Sequence, residues 1–469
     1  MKRYRLIGLV VAGLAILIGS GAWWLTQRDG WGYPPSFLIT AGIFLFVFAA
    51  ISLRWMHETA AALLGAVLLW LVHYIGGTFS PALHIISFEE AMAFVDWNVI
   101  FLILGMMIFM AMFSETGVFR WLAFRAFRLA RGNVWLLGLI LALLTALTSA
   151  FLNNVTAILL LVPLTIQIAE TVGVHPFAYV LPEVLISNIG GAATLIGDPP
   201  STIVGSHLGL GFFEYAAEAA PVVSLSLLAL LGLAAWLYRH ELVAARERLS
   251  PALMAQLEAG ARLTDLPLLR KANLVGGVTL LLFFIGELFG LPLSVIALSG
   301  ATWLIVWVRP DMHRMLREVD WTTLFFFIGI FVIVDGLEKV GIVQAIAQAI
   351  GHLAGDSQML ATVLMLWVSG GVSAVVDNIP FTIAALPIAD LFSNSIPILR
   401  GSQVLYWALI YGADFGGNGT YIGGAANIVA VGLLAQAGYR MSFSRFLRDG
   451  VPVTAATLLV ATLWLLVRY

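Results

Sequence analysis

The chain has 469 residues, 61% of them hydrophobic and only 11% charged, with a mean hydropathy of +0.98. A soluble globule carries about a quarter of its residues charged, so this chain belongs in a lipid bilayer. A net charge of −2 offers no basic face for nucleic acid, and the absence of Cys excludes disulfides, zinc thiolates and iron–sulfur ligands. The eight His are scattered without helical pairing, so neither a metal site nor a cofactor is expected.

In chain order, MKRYR precedes the apolar run LIGLVVAGLAILIGSGAWW. That run is long for a cleaved signal and reads as a retained first helix near 6–26. Apolar stretches able to cross about 30 Å of hydrocarbon follow near 36–53, 59–78, 98–116, 220–238, 272–290, 291–309, 321–340 and 451–467. Arginines set their direction. Lys2, Arg3 and Arg5 place the N-terminus in the cytoplasm. Further clusters lie at 120–131, along the polar stretch 239–271, and at Arg440, Arg445 and Arg448. All are cytoplasmic only if 133–172 and 358–393 are re-entrant helical hairpins. About eleven helices then cross, the C-terminus emerges outside, and 239–271 is a cytoplasmic linker between two halves.

An internal repeat organises these segments. Residues 95–163 align without a gap on 319–387: VDW meets VDW, Gly105 meets Gly329, Gly117 meets Gly341, Asn154 meets Asn378 and Pro163 meets Pro387. Further on, GGAATLIGDPPSTIVG at 190–205 lies over GGNGTYIGGAANIVAV at 416–431, and Pro221 meets Pro452. The loop after 98–116 carries four Arg and its counterpart VQAIAQAIGHLAGDS carries none, so the halves run through the membrane in opposite directions. The expected fold class is therefore an all-α polytopic membrane protein of two inverted-topology repeats with discontinuous helices, a build used by secondary transporters. The repeats span 95–238 and 319–469, with broken helices at 176–210 and 403–437.

Four stretches place polar residues at membrane depth. The hairpin tips offer Ser149, Asn153, Asn154 and Thr156, and Ser373, Asp377, Asn378 and Thr382. The broken helices offer Ser187, Asn188, Thr194, Asp198, Ser201 and Thr202, and Asp414, Asn418, Thr420 and Asn427. Lipid supplies no hydrogen bonds, so unwound backbone is tolerated only beside a cavity or against protein. Gly190, Gly191 and Gly197 permit unwinding, and Pro199 and Pro200 stop one half-helix and start the next. An ionised Asp at the centre of a membrane helix costs about 2.5–3.5 kcal/mol, so Asp198, Asp377 and Asp414 are expected to share one wet cavity. Asp96 and Asp320, each before Trp, read as helix caps, and Asp335, Glu338 and Lys339 as an internal ion pair. Glu115 and Glu183 are secondary candidates for carrying protons.

The motifs NIGGAATLIGDPP (188–200), DNIPFT (377–382) and GGNGTYIGGAANIVAVG (416–432) resemble those of the arsenite/antimonite efflux permeases and the related melanosomal P protein branch of the ion transporter superfamily. The resemblance spans about 36–467. It implies scaffold helices at 1–94 and 272–318 and a moving transport region built from both hairpins and both broken helices. It also implies efflux of arsenite or antimonite across the inner membrane, driven by protons or by an attached cytoplasmic ATPase, with no enzyme chemistry by the chain itself. The substrate region it implies comprises Asn153, Asn154, Thr156, Asp198, Asp377, Asn378, Thr382, Asp414, Asn418, Thr420 and Asn427. The residue reading adds Asn188 and Thr194.

Without thiolates, trivalent arsenic must be held as a small hydroxylated molecule through amide, hydroxyl and carboxylate hydrogen bonds. A neutral cargo needs a coupled ion, and each inward charge supplies about 2.3 kcal/mol per 100 mV. Asp377 or Asp414 is the expected proton carrier, with Asp198 beside them. A sodium/proton antiporter on the same scaffold is the nearest rival. Di- or tricarboxylate uptake fits less well, because these stretches hold no Lys or Arg. An intramembrane aspartyl protease or a simple channel is remoter still.

Overall fold

The computed structural model describes residues 34–53, 55–243, 263–346, 357–395 and 399–469. The first helix at 6–26 and most of the 239–271 linker lie outside these residues. Among the described residues the chain is all helical, and nine helices are long and apolar enough to cross a membrane. The protein is an all-α polytopic membrane protein.

The helices divide between two compact units. One holds α1 (Pro35–Ser52), α2 (Glu58–Leu71), the short α3 (Phe88–Phe94), α14 (Trp321–Lys339) and residues 383–401. Here Gly329 on α14 lets the backbone of Ala62 on α2 approach closely, so a Cβ on Gly329 would lie 2.8 Å from the Ala62 carbonyl carbon. Thr59 Oγ1 at the start of α2 donates to Thr322 O (2.8 Å). Ser87 and Glu90 form a capping box that starts α3, and Glu90 reaches Lys339 on α14 at 3.7 Å.

The larger unit holds α4 (Trp97–Glu115, from Asn98), α5 (Val118–Ala130), α6 (Val134–Phe151), α7 (Asn154–Val172), α8 (Phe177–Gly191), α9 (Pro199–His207) and α10 (Phe212–Leu237). It continues through α11 (Leu266–Ile285), α12 (Leu293–Val308), α13 (Met312–Glu318), α15 (Gln358–Ser373) and the start of α16 (Asn378–Ser395). The unit closes with α17 (Val404–Gly416), α18 (Ala425–Gln436) and α19 (Phe443–Arg468). Gly105 on α4 meets Ala297 on α12 as Gly329 meets Ala62, and Ser294 Oγ donates to Asn98 Oδ1 (2.8 Å) as Thr59 donates to Thr322. Glu115 pairs with Arg314 at 3.2 Å, the position-for-position counterpart of Lys339 with Glu90 but with the charges exchanged. The repeat therefore reaches beyond 95–163, into α2 and α3 on one side and α12 and α13 on the other. Gly117 and Gly341, which end α4 and α14 at matched positions, both have positive φ (76° and 86°), a conformation only glycine adopts freely.

The inversion is visible in α10 and α19. Tyr238 at the C-terminal end of α10 donates to Asp449 near the start of α19 (2.8 Å), and Tyr469 at the end of α19 donates to Glu218 near the start of α10 (3.3 Å). Equivalent helices of the two halves thus run antiparallel. Each Tyr lies a rise of about 30 Å from the carboxylate of its own helix, the thickness of a hydrocarbon core.

One element differs from expectation. Residues 118–130 form an amphipathic helix where an Arg-rich loop was read: Phe119, Ala123, Phe127 and Ala130 are buried on one stripe, while Arg120, Arg125 and Arg128 face outward. The hairpin arms α6 and α7 are each as long as a full span, so re-entry does not follow from their length.

Candidate functional site

Both discontinuous helices break where the glycines lie, the first also at Pro199 and Pro200. α8 ends at Gly191 and α9 begins at Pro199, with the chain between them in turns. In the other half α17 ends at Gly416 and α18 begins at Ala425. Hairpin-tip residues Asn153 and Asp377 cap α7 and α16, accepting from Val155 N (2.9 Å) and Ile379 N (3.1 Å). The N-terminal ends of α7, α9 and α16 therefore bring their partial positive charge to one region.

Each tip is stitched to the break of its own half by the same bonds. Ser149 Oγ donates to Ser187 O (2.6 Å), and Ser373 Oγ donates to Ala413 O (2.6 Å). The Thr194 hydroxyl donates to Ala150 O, and Thr420 Oγ1 donates to Ala374 O (2.6 Å). Asn154 Nδ2 donates to Asn188 Oδ1 (3.2 Å), and Asn378 Nδ2 donates to Asp414 Oδ1 (3.4 Å). All these side chains are buried.

The halves then meet by exchange. Asn188 Nδ2 reaches Asn427 Oδ1 (3.2 Å), and the repeat-equivalent pair is Ser201 Oγ with Asp414 Oδ2 (3.3 Å). Asn188 also donates to Asn418 Oδ1 (2.8 Å), whose own amide donates to Leu185 O (2.9 Å). Asn427 Nδ2 holds the unwound carbonyls of Gly417 (2.8 Å) and Thr420 (3.0 Å). This is how freed backbone is satisfied away from water.

At the centre one amide serves two acids. Asn378 Nδ2 donates to Asp198 Oδ2 (3.2 Å) and to Asp414 Oδ1 (3.4 Å), and the two carboxyls lie within hydrogen-bond reach of each other. Asn154 also reaches Asp198. No Lys or Arg bonds to these groups among the described residues.

The structure thus brings Asn154, Asn188, Asp198, Asn378, Asp414, Asn418 and Asn427 into one network, with Thr194 and Thr420 pinning its edges. Thr382 donates within its own helix to Asn378 O (2.7 Å). Asn153 and Thr156 line a small cavity of about 40 Å³ with Gly197 and Thr202, walled opposite by Met106 and Met107 of α4. That methionine wall is absent from the sequence expectations; its signal is the run of Met106, Met107 and Met110 within one span. Of the other acids considered, Glu115 is ion-paired at the surface, while Glu183 is buried and accepts from Thr165 (2.8 Å). Lys339 pairs with Glu90, and Asp335 Oδ2 is buried with no partner among the described residues.

Comparison with known proteins follows the same lines. The chain is 37% identical over 375 residues to the uncharacterized transporter Rv2685 of Mycobacterium tuberculosis, covering 80% of this chain and 87% of that one. It is 35% identical to the 46 kDa membrane protein of Mycobacterium leprae, over 92% of this chain and 99% of that protein. The human P protein is 32% identical over 92% of this chain, which spans 60% of that longer protein. Among solved structures, the YdaH transporter of Alcanivorax borkumensis shares the fold at a TM-score of 0.58 and 13% identity, over 92% of this chain and 98% of that one. MtrF of Neisseria gonorrhoeae does so at 0.60 and 13%, over 95% and 96%. The CitMHS model, described as a citrate transporter, matches residues 43–412, and the chain belongs to that family of transporters.

Proposed function

We propose that the protein is a proton-coupled secondary transporter that exports a small uncharged oxyacid, arsenite or antimonite, by alternating access about the Asp198–Asp414 pair. The observation carrying this reading is the single Asn378 amide bridging two buried carboxyls. Two adjacent like charges out of water repel strongly, so the pair is stable with one proton between its oxygens and is discharged by giving that proton up. Around it stand amides, hydroxyls and carbonyls, which suit a hydroxylated neutral cargo. Citrate would bring three carboxylates against two acids with no basic partner. Asn153, Thr156 and Thr202 at the small cavity supply the cargo's polar contacts in this reading, and the methionine wall its soft ones. Asp377, a helix cap, orients Asn378 rather than carrying the proton.

The cytoplasmic N-terminus, the inner-membrane location and the division into scaffold and transport regions rest on the Arg distribution and the family resemblance, as does an associated ATPase. Sodium/proton antiport is the second reading, favoured by the same excess of oxygen acceptors.

Inverted membrane vesicles separate the two. Arsenite should dissipate an imposed pH gradient in wild-type vesicles. Asp414→Asn should abolish that response while leaving folded protein, because Asn188 already occupies the equivalent position with the same Asn partner. Dissipation by sodium but not arsenite would replace the first reading with the second, and an unchanged response in Asp414→Asn would remove the aspartate pair from the mechanism.

A further inference from the structure

Beside the site lies a larger chamber of about 380 Å³, walled by α4, α5, α6, α11 and α12. Met110, Phe119 and Leu152 on its wall form a buried cluster, with Phe113 and Phe151 packed on it. The Phe109 ring reaches across to α11, lying 2.9 Å from where a Cβ on Gly276 would stand, and Phe283 adds a wall stacked on Phe212 at 5.5 Å. The polar side chains of the lining are Thr148, Asn273 and Thr279, the last donating to Val275 O (2.9 Å) of its own helix. No charged side chain lines the chamber among the described residues.

The chamber opens sideways. Leu147 at its edge on α6 is 63% exposed, and a Cβ on Gly277 of α11 would meet nothing within 4 Å. Both helices are long and apolar enough to cross a membrane, so this opening faces hydrocarbon. Where α4 ends, the chain entering α11 is bonded to it: Thr264 Oγ1 donates to Glu115 O (2.6 Å) and Thr264 N to Thr116 O (3.0 Å). The matching positions on α14 are packed shut. There Ile330, Ile333, Val334 and Leu337 are at most 3% exposed, and Ile333 lies against Gly65 of α2, whereas Met106 and Phe113 on α4 are partly exposed.

Little can fill such a space. Protein interiors leave few voids larger than one water, and water gains too few hydrogen bonds on an apolar wall to occupy one. We propose that an acyl chain of a membrane phospholipid occupies the chamber, entering sideways between α6 and α11. Met106, Met110, Phe151 and Leu152 line both this chamber and the small cavity of Asn153 and Thr156. One layer of side chains thus separates the lipid chain from the polar site. The seated chain backs the apolar wall of that cavity, and the hairpin tip at Phe151 and Leu152 shifts away from α4 only as the chain yields. The seat is the same for any cargo.

Photo-crosslinking tests it. The full chain is reconstituted in phosphatidylcholine liposomes doped with a phosphatidylcholine that carries a diazirine midway along one acyl chain, and adducts are mapped by mass spectrometry after irradiation. Wild-type protein should be labelled on Met110, Leu152 and Phe283, which are 8%, 7% and 2% exposed and beyond the reach of lipid that merely surrounds the helices. Gly277→Leu puts a side chain into open space at the chamber. It should cut those adducts at least fivefold and leave those on the outward Leu139 and Leu143 of α6 unchanged, which also shows that the variant is folded and embedded as the wild type is. Wild-type adducts confined to outward residues, or equal chamber labelling in Gly277→Leu, would overturn the proposal. So would labelling of the three buried residues by a water-soluble diazirine alcohol and not by the lipid, which would give the chamber to water or cargo.

Discussion

Gly197 and Gly423 close the two unwound segments at matched positions. A Cβ on Gly197 would lie 2.8 Å from Ser149 O and 3.0 Å from Ala150 O, and one on Gly423 2.7 Å from Ser373 O and 2.8 Å from Gly417 O. These neighbours are backbone oxygens, three at the hairpin tips and Gly417 O in the unwound segment itself, and cannot swing aside. Gly197→Ala and Gly423→Ala should each destabilise the protein by about 1–3 kcal/mol, the usual cost of overpacking. Gly232→Ala, in α10 with open space at its Cβ, should be neutral or stabilising by up to about 1 kcal/mol. Thermal unfolding in detergent reads the difference, and equal midpoints in all three variants would show that the breaks tolerate a side chain. The repeat also isolates what is specific to the site. Asn188 and Asp414 are equivalent residues with equivalent Asn partners, so the exchange of one amide for one acid is chemistry added to a common frame.

The breaks were legible among the elements because Gly and Pro act locally, on their own backbone. The amphipathic α5 was not, because three of the five residues on its buried stripe, Ala123, Ala126 and Ala130, are alanines that add little to a hydropathy pattern, and its arginines mark sidedness as well in a loop as in a helix. α10 and α19 run longer than hydropathy suggested: Glu214 and Glu218 at one start, and Arg445, Arg448 and Asp449 at the other, depress the average. Those charges are answered across the helix pair, where Arg445 meets Glu241 at 3.1 Å and Arg468 meets Glu218 at 3.1 Å. No window along one chain segment registers a partner in another. The turn between α7 and α8 is a further case. His175 Nδ1 accepts from Phe177 N (3.3 Å), and its ring lies against Tyr439 with Arg445 nearby. Burial first, and then Arg445, hold its pKa below the ordinary 6.5, while Glu241 works the other way. The unfolded chain therefore binds the proton more readily, so the stability given by neutral His175 is complete above about pH 6.5 and is lost as pH falls through the folded value. Amide hydrogen exchange across 173–177 should accelerate below pH 6 in the wild type and become pH-insensitive, after correction for intrinsic rates, in His175→Asn. Identical profiles for the two proteins would remove His175 as the cause.

For the whole molecule, sequence alone showed the repeat only where Gly, Asn, Asp and Pro are shared. Its extension into α2 and α12 leaves a trace, ALLGA at 62–66 against ALSGA at 297–301, in small and apolar residues common throughout the chain, and elsewhere the partners differ: Thr59 answers Ser294, and Glu90 answers Arg314. What these positions preserve is a contact, and a contact of either polarity serves. The antiparallel course of α10 and α19 was inferred from an arginine count and is displayed by two tyrosine–carboxylate bonds. It fixes where loops emerge. The C-terminal end of α10 and the N-terminal end of α19 share one face, and the start of α10 lies on the other. The chain has no Cys, so single cysteines report without background. In intact cells an impermeant maleimide should label His207→Cys and spare both His240→Cys and Ser444→Cys, with the pattern reversed in inverted vesicles. The assignment of sides depends on the arginines, but the pairing of 240 with 444 depends only on the helix pair. Labelling of 240 and 444 from opposite sides would therefore break the inverted frame itself. Without that frame the exchange bonds between Asn188 and Asn427, and between Ser201 and Asp414, would have no symmetric cause.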